Sequence, residues 1–353
     1  MEVSVNALKE GNVLTEDVFT ARGGILFYKG RVLDKRDIEI LKAFMIKKVS
    51  IEETELETED LSDIPDAYAD AASLLFIQKY DRLFQLMKRS FRNVGETLPI
   101  AEFRKHLEPM VGQYFRHDLL YYSPSKYNQE DYFFHKSIMV AVTSYMIAKW
   151  AEFEKRHLMP IALAGLLHDI GNMEVDPQIL NKPGLLTVEE MEEMRKHTIF
   201  GYNRLKSVLG INDGVRLAAL QHHEREDGSG YPLGLKGDKI HLYAKVVAIA
   251  DIFYAMTRSR KYRDAKSPYE VLDQLMHDSF GKLDPSLVQT FVYRLTQHQI
   301  GYTVRLSNGE IGKIVFMEQA NPTRPWVDVN GKIVNLVRER SLKITEILSS
   351  SSD

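Results

Sequence analysis

The run HHEREDGSGYP sets two adjacent histidines, His222 and His223, before a carboxylate, Glu224, and a glycine-rich turn. Imidazoles and carboxylates are poor material for a hydrophobic core, because each must find a partner when it leaves water. They are good material for a metal site. Upstream, LLHDIGN brings His168 and Asp169 to the end of an apolar helical stretch, and downstream VVAIADIFYAMT carries Asp251. Nitrogen and oxygen ligands placed at the ends of several apolar helices point to a metal-dependent hydrolase.

Composition narrows the class further. At 353 residues the chain exceeds one average domain, so two or three units are expected, and 44% apolar residues suffice for a core. A net charge of −3 gives no support for a nucleic-acid polymer as partner, although a small pocket for an anionic nucleotide is compatible with it. Cysteine is absent, which excludes disulfides, thiolate zinc sites and cysteine nucleophiles. The first residues lack the basic and apolar blocks of a signal peptide, and apolar runs such as 160–167 fall short of the ~20 residues that span a bilayer. A soluble cytoplasmic protein without membrane insertion is expected.

Four segments are expected. Residues 1–54 read as a small α+β accessory domain: GGILFYKGRVL suits a hairpin, Asp34 caps a helix with Ile38, Leu41 and Met45 on one face, and KKVSIE closes as a strand. Residues 55–123 combine an acidic linker with a helical spacer, whose sharper reading is a homodimerising or signal-relaying helix. Residues 124–297 are almost wholly helical and hold every chemical motif. Thr187 with Glu190 fits a capping box before a helix running through His197, Ser267-Pro268 with Glu270 fits another, and Asp284-Pro285 starts a last helix. Residues 298–353 alternate, with hairpin signals at Asn308-Gly309 and Asn330-Gly331, and form a small all-β module ending in a serine tail. The fold class is therefore multidomain, with an all-α core between a small α+β module and a small all-β module.

Within the core, Asp251 lies on a helix with apolar residues on nearly every side, so its carboxylate needs a cation or several hydrogen bonds. His135 begins an apolar helix, with Asp131 one turn before it on the same face. Each of these alone is more often an ordinary structural residue. Together His135, His168, Asp169, His197, His222, His223 and Asp251, with Asp131 in reserve, are too many ligands for one ion. Two ions bridged by Asp169 would use them economically, and imidazole with carboxylate suits iron, manganese or zinc. Paired metals suit phosphoester hydrolysis, generating hydroxide near neutral pH and stabilising both attacking and leaving oxygens.

The ordered motifs HDIG, KPGLLTVEEMEEMRKH, HHEREDGSGYP and ADIFYAMTRSRKYR, over roughly residues 131–263, resemble the HD-GYP family of cyclic di-GMP phosphodiesterases, within the HD superfamily. The resemblance implies an all-helical HD core, a centre of two or three iron or manganese ions, and hydrolysis of cyclic di-GMP to linear pGpG or GMP through a metal-bound hydroxide. By position it implies His135, His168, Asp169 and Asp251 as the general ligand set, His197, His222 and His223 as the additional histidines, and Asp131 as the third-metal ligand. Gly230, Tyr231 and Pro232 form the GYP turn, with Tyr231 at the substrate. Arg260 and Arg263 stand where the family places cationic contacts to the dinucleotide.

One departure bears on rate. The family writes its first motif with a lysine where this chain has Asn172. Asparagine can donate a hydrogen bond near the phosphate but supplies no charge, so Asn172 joins Asp169 as a candidate catalytic residue whose identity lowers turnover. Two rivals follow: a signalling module that binds metal and cyclic dinucleotide with slow or no turnover, and an HD phosphohydrolase for another nucleotide.

Overall fold

A computed structural model of the chain describes residues 2–5, 8, 12, 14–20, 23–31, 33–51, 70–92, 97–112, 117–122, 124, 131–257 and 266–349. The acidic stretch, the serine tail, Arg260 and Arg263 lie outside the described residues. The chain divides into two compact units, Met1–Arg82 with Pro109–Tyr127, and Leu83–Glu108 with Asn128–Asp353.

In the first unit, β1 (Glu2–Ser4) pairs antiparallel with β4 (Lys48–Ser50), and β2 (Val18–Phe19) with β3 (Ile25–Phe27). Between β3 and β4 runs α1 (Lys35–Ala43), which Asp34 opens with a reciprocal capping box to Asp37. Leu14, Leu33, Leu41 and Val49 close a small core of their own. The first part of α2 (Ala71–Arg92) packs Phe76 and Tyr80 edge-on against Tyr122.

The second unit holds α3 (Ile100–Met110), α4 (Tyr132–Trp150), α5 (Lys155–Leu167), the short α6 (Pro177–Leu180), α7 (Val188–Arg195), α8 (His197–Leu205), α9 (Asp213–Gln221), α10 (Leu242–Thr257), α11 (Pro268–Asp278) and α12 (Pro285–Gln297). Helices α4, α5 and α10 are apolar nearly all round, the pattern of helices buried on every side, and they pack on one another at the centre. A helical core with small sheets toward both ends of the chain is the resulting architecture. No helix among the described residues is long and apolar enough to cross a membrane.

Helix boundaries differ from the sequence expectation at three places: α1 ends at Ala43 and leaves Met45 outside it, exposed and at positive φ, and two more lie in the second unit. The helix opened by the Thr187–Glu190 capping box stops at Arg195 and restarts at His197. The side chains of His197 and Thr198 occupy the carbonyls of Met194 and Arg195, at 2.7 and 2.9 Å, so α7 ends where its last acceptors are satisfied from outside the helix. Ser267 precedes α11 without capping it; its hydroxyl donates instead to the Ile344 carbonyl at 2.7 Å.

That bond reaches the C-terminal sheet, formed by β5 (Thr303–Leu306), β6 (Ile311–Phe316), β7 (Trp326–Val329), β8 (Lys332–Asn335) and β9 (Ile344–Ser349) in the order β8-β7-β6-β5-β9, all antiparallel. Asn330 and Gly331 both take positive φ, 54° and 84°, and form the two-residue turn the sequence signals. Asn308-Gly309 differs: only Gly309 has positive φ, and the pair sits inside the longer loop 307–310.

Candidate metal centre

The site is built where four helices end or pass closest together. His168 stands at the C-cap of α5 and Asp169 opens the 3-10 turn Ile170–Glu174. Glycine brings that turn into place twice. A Cβ at Gly165 would lie 2.8 Å from the Ala141 Cα of α4, and one at Gly171 would collide with the His197 carbonyl and the Gly201 amide of α8. The turn can therefore lie directly against the first residue of α8, which is His197. His222 is the C-cap of α9, His223 follows it, and Asp251 faces the same space from within α10.

The carboxylate of Asp169 divides the site. Its Oδ1 lies 3.4 Å from His197 Nε2 and 3.5 Å from His222 Nε2, and those two nitrogens are 3.5 Å apart. With His223 they form one group whose ligand atoms lie within 4.8 Å of one another. Oδ2 looks the other way, 3.1 Å from His168 Nε2, and His168, Asp169 and Asp251 form a second such group. Between these two carboxylates sits Lys136, its Nζ 2.7 Å from Asp169 Oδ2 and 2.7 Å from Asp251 Oδ1.

The first group fits a transition-metal ion. His197 Nδ1 faces the Met194 carbonyl at 2.7 Å, and His222 Nδ1 faces the carbonyls of Ala218 and Ala219 at 3.1 Å. Those contacts assign the proton to Nδ1 and turn the Nε2 lone pairs inward, the outer-shell arrangement of ligating histidines. Burial strips their charge as well: His197 is pushed down to about 4, Asp169 only partly opposing, and burial lowers His222 and His223 likewise. Neutral imidazole at ordinary pH is the form that binds metal.

The second group is charged differently. Burial alone would discharge His168 and Lys136, but Asp169 and Asp251 outweigh it, holding His168 up at about 9 and Lys136 above its ordinary range. Burial would likewise raise both carboxyls; His168 and Lys136 hold Asp169 well below the usual carboxylate range, and Lys136 and His168 do so for Asp251.

Of the expected ligands, the structure brings together His168, Asp169, His197, His222, His223 and Asp251. His135 and Asp131 are in neither of these groups: His135 stacks on Phe84 at 4.6 Å between ring centroids, and Asp131 pairs with Lys88 at 2.7 Å. Asn172 is buried in the 3-10 turn, and its Oδ1 has no hydrogen-bond partner among the described residues. Tyr231 stacks on His223 at 4.6 Å, under the Arg195 guanidinium at 5.1 Å.

Three residues escaped the sequence reading. Lys136 is one; its signal was a lysine within an apolar helix, where an ammonium needs anions. Glu224 reads as a ligand beside two histidines, yet its carboxylate accepts from the amides of Leu233 and Leu235 at 2.7 and 2.9 Å and clamps the GYP turn. Gly230 fits under that clamp because a Cβ would strike the Glu224 backbone and the His223 carbonyl. Arg225 points its guanidinium at the carbonyls of His222 and Glu224, at 3.2 and 2.8 Å.

Residues 119–287 match the HD domain family. A cyclic di-GMP phosphodiesterase of Pseudomonas aeruginosa is 31% identical over 237 residues, 67% of this chain and 57% of the relative. The chain belongs to the HD-GYP family. Other family relatives match a shorter stretch: a cyclic di-GMP phosphodiesterase of Thermotoga maritima is 42% identical over 37% of this chain and 36% of the relative. A 3'3'-cGAMP-specific phosphodiesterase of Vibrio cholerae is 39% identical over 38% and 32%. The chain thus spans less than two thirds of these HD-GYP relatives. Among solved structures, an HDG"Y"P protein from Bdellovibrio bacteriovorus shares the fold, with a TM-score of 0.51 at 19% identity over 82% of this chain and 97% of that one.

Proposed function

We propose that the chain is a metal-dependent phosphodiesterase that hydrolyses a cyclic dinucleotide, cyclic di-GMP first, to linear pGpG or GMP. The observation that carries this reading is the convergence of Asp169, His197, His222 and His223 into one buried, metal-ready group beside His168 and Asp251. The named activities of the relatives support the substrate class.

Asp169, His197, His222 and His223 would hold the ion, and the nitrogen-oxygen donor set suits iron or manganese. Such an ion supplies Lewis-acid activation of water and polarisation of the phosphoryl oxygen. The chain's own residues do the rest. The backbone carbonyls behind His197 and His222 fix the ring orientations, and Asp169 faces both halves of the site. Tyr231, held on His223 by the Glu224 clamp, offers a ring edge beside the histidines for a nucleobase or ribose. Arg260 and Arg263 are assigned to the dinucleotide phosphates as part of the same proposal, and Asn172 to a neutral contact near the scissile group.

The division into 1–54, 55–123, 124–297 and 298–353, a cytoplasmic setting, and a homodimer or signalling partner through the accessory regions belong to this proposal too. The test is turnover of cyclic di-GMP and of mixed cyclic GMP-AMP by protein loaded anaerobically with manganese or iron. Linear product from either supports the reading. Tight binding of both without product replaces it with the signalling module, and neither binding nor turnover points to another nucleotide.

A further inference from the structure

We propose that Lys136 is a built-in cation that stands in for a metal ion in the His168–Asp169–Asp251 half of the site, so that the chain holds one transition-metal ion where its ligand count suggests two. The inference rests on the reading of the first group as a metal site.

By donor type, His168, Asp169 and Asp251 would make a second ion site, with three ligands to the first group's four. The oxygens that would ligate such an ion are already engaged. Asp169 Oδ2 and Asp251 Oδ1 each lie 2.7 Å from Lys136 Nζ, the distance of a short charge-assisted hydrogen bond. The lysine side chain is only 12% exposed, so its charge has little water to fall back on. A divalent ion entering here would meet a unit positive charge within a few ångström, a repulsion that low dielectric magnifies.

The helix register makes this arrangement specific. Neighbouring residues on an α-helix project about 100° apart. At the start of α4 Asp131 pairs with Lys88 and His135 stacks on Phe84, both of α2, while Lys136 reaches the two aspartates that His168 also faces. Asp169 is then a bridge between unlike cations: Oδ1 toward the histidine group, Oδ2 toward an ammonium.

The experiment is metal stoichiometry by mass spectrometry on the full chain loaded anaerobically with manganese, with the ion located by anomalous diffraction. The wild type is expected to hold one ion per chain, on Asp169, His197, His222 and His223. Lys136→His, which swaps the ammonium for an imidazole, is expected to raise the content to two. Two ions per wild-type chain overturn the inference and leave the metal-site reading intact, whereas a single ion found on His168, Asp169 and Asp251 overturns both. No ion in the wild type removes the reading itself and the inference with it. If Lys136→His fails to fold, the wild-type stoichiometry and ion position still decide.

Discussion

The two halves of the site are both largely buried and differ in charge state. In the half of His197, His222 and His223, burial wins: imidazoles shed their protons and present lone pairs. In the half of His168, Lys136 and Asp251, carboxylates win, and both the histidine and the lysine keep their charge. Desolvation acts on both; what differs is which oxygens are near. A histidine in a metal-like cluster is therefore not by its position alone a ligand ready to bind.

The largest test of this contrast is the residue both halves share. Asp169→Ala should abolish metal loading and destabilise the fold by about 3–5 kcal/mol, because it leaves Lys136 and His168 facing one carboxylate in a dry site. Metal analysis with urea unfolding checks both; full metal content in this variant, with loss in Asp251→Ala, would break the assignment of the shared carboxylate.

The opposed charge states also predict a pH profile for the chelator-treated protein. His197 binds a proton near 6.5 when unfolded but only near about 4 when folded, so stability falls as pH drops through that window, by up to about 3 kcal/mol. His168 works in the other direction. Its folded value of about 9 stabilises the fold fully below 6.5, and that contribution is lost as pH rises toward 9. Thermal melts from pH 4 to 9 should peak near 6.5; a steady rise or fall across the range would mean that the halves do not differ in charge.

A smaller effect is expected at Asn172, whose buried Oδ1 lacks a partner among the described residues. Asn172→Lys should raise cyclic di-GMP turnover on the order of tenfold, with metal content unchanged. No gain, measured beside metal analysis, would show that Lys136 already provides the cation this position lacks. Smallest is Asp131→Asn. With Lys88 as its partner, its loss should cost at most about 1 kcal/mol and no metal, and a fall in metal content would return Asp131 to the ligand set.

Much of the histidine half was legible from the amino-acid sequence. Asp169, His222 and His223 sit at helix ends that apolar runs and glycines mark, and their chemistry has few other uses there. Of the lysine half, His168 and Asp251 were legible and Lys136 was not. Composition tells which residues share a helix, but the rotation of α4 is set by packing against α2, α5 and α10, and one position of rotation exchanges His135 for Lys136. The role of Glu224 was hidden for a related reason: whether a carboxylate meets a metal or two backbone amides depends on how the following loop folds back. The break between α7 and α8 was hidden because the caps that cause it come from side chains beyond the break.

The contact of Gly171 with the start of α8 has a consequence for anyone wishing to transplant this chemistry. The spacing between Asp169 and His197 is set by two backbones touching where no side chain fits. Copying the ligand residues onto another helical scaffold would carry over the donors without that spacing. A designer would have to graft the bare stretch of main chain along with them, and any residue larger than glycine at 171 would push Asp169 and His197 apart even though every ligand was present.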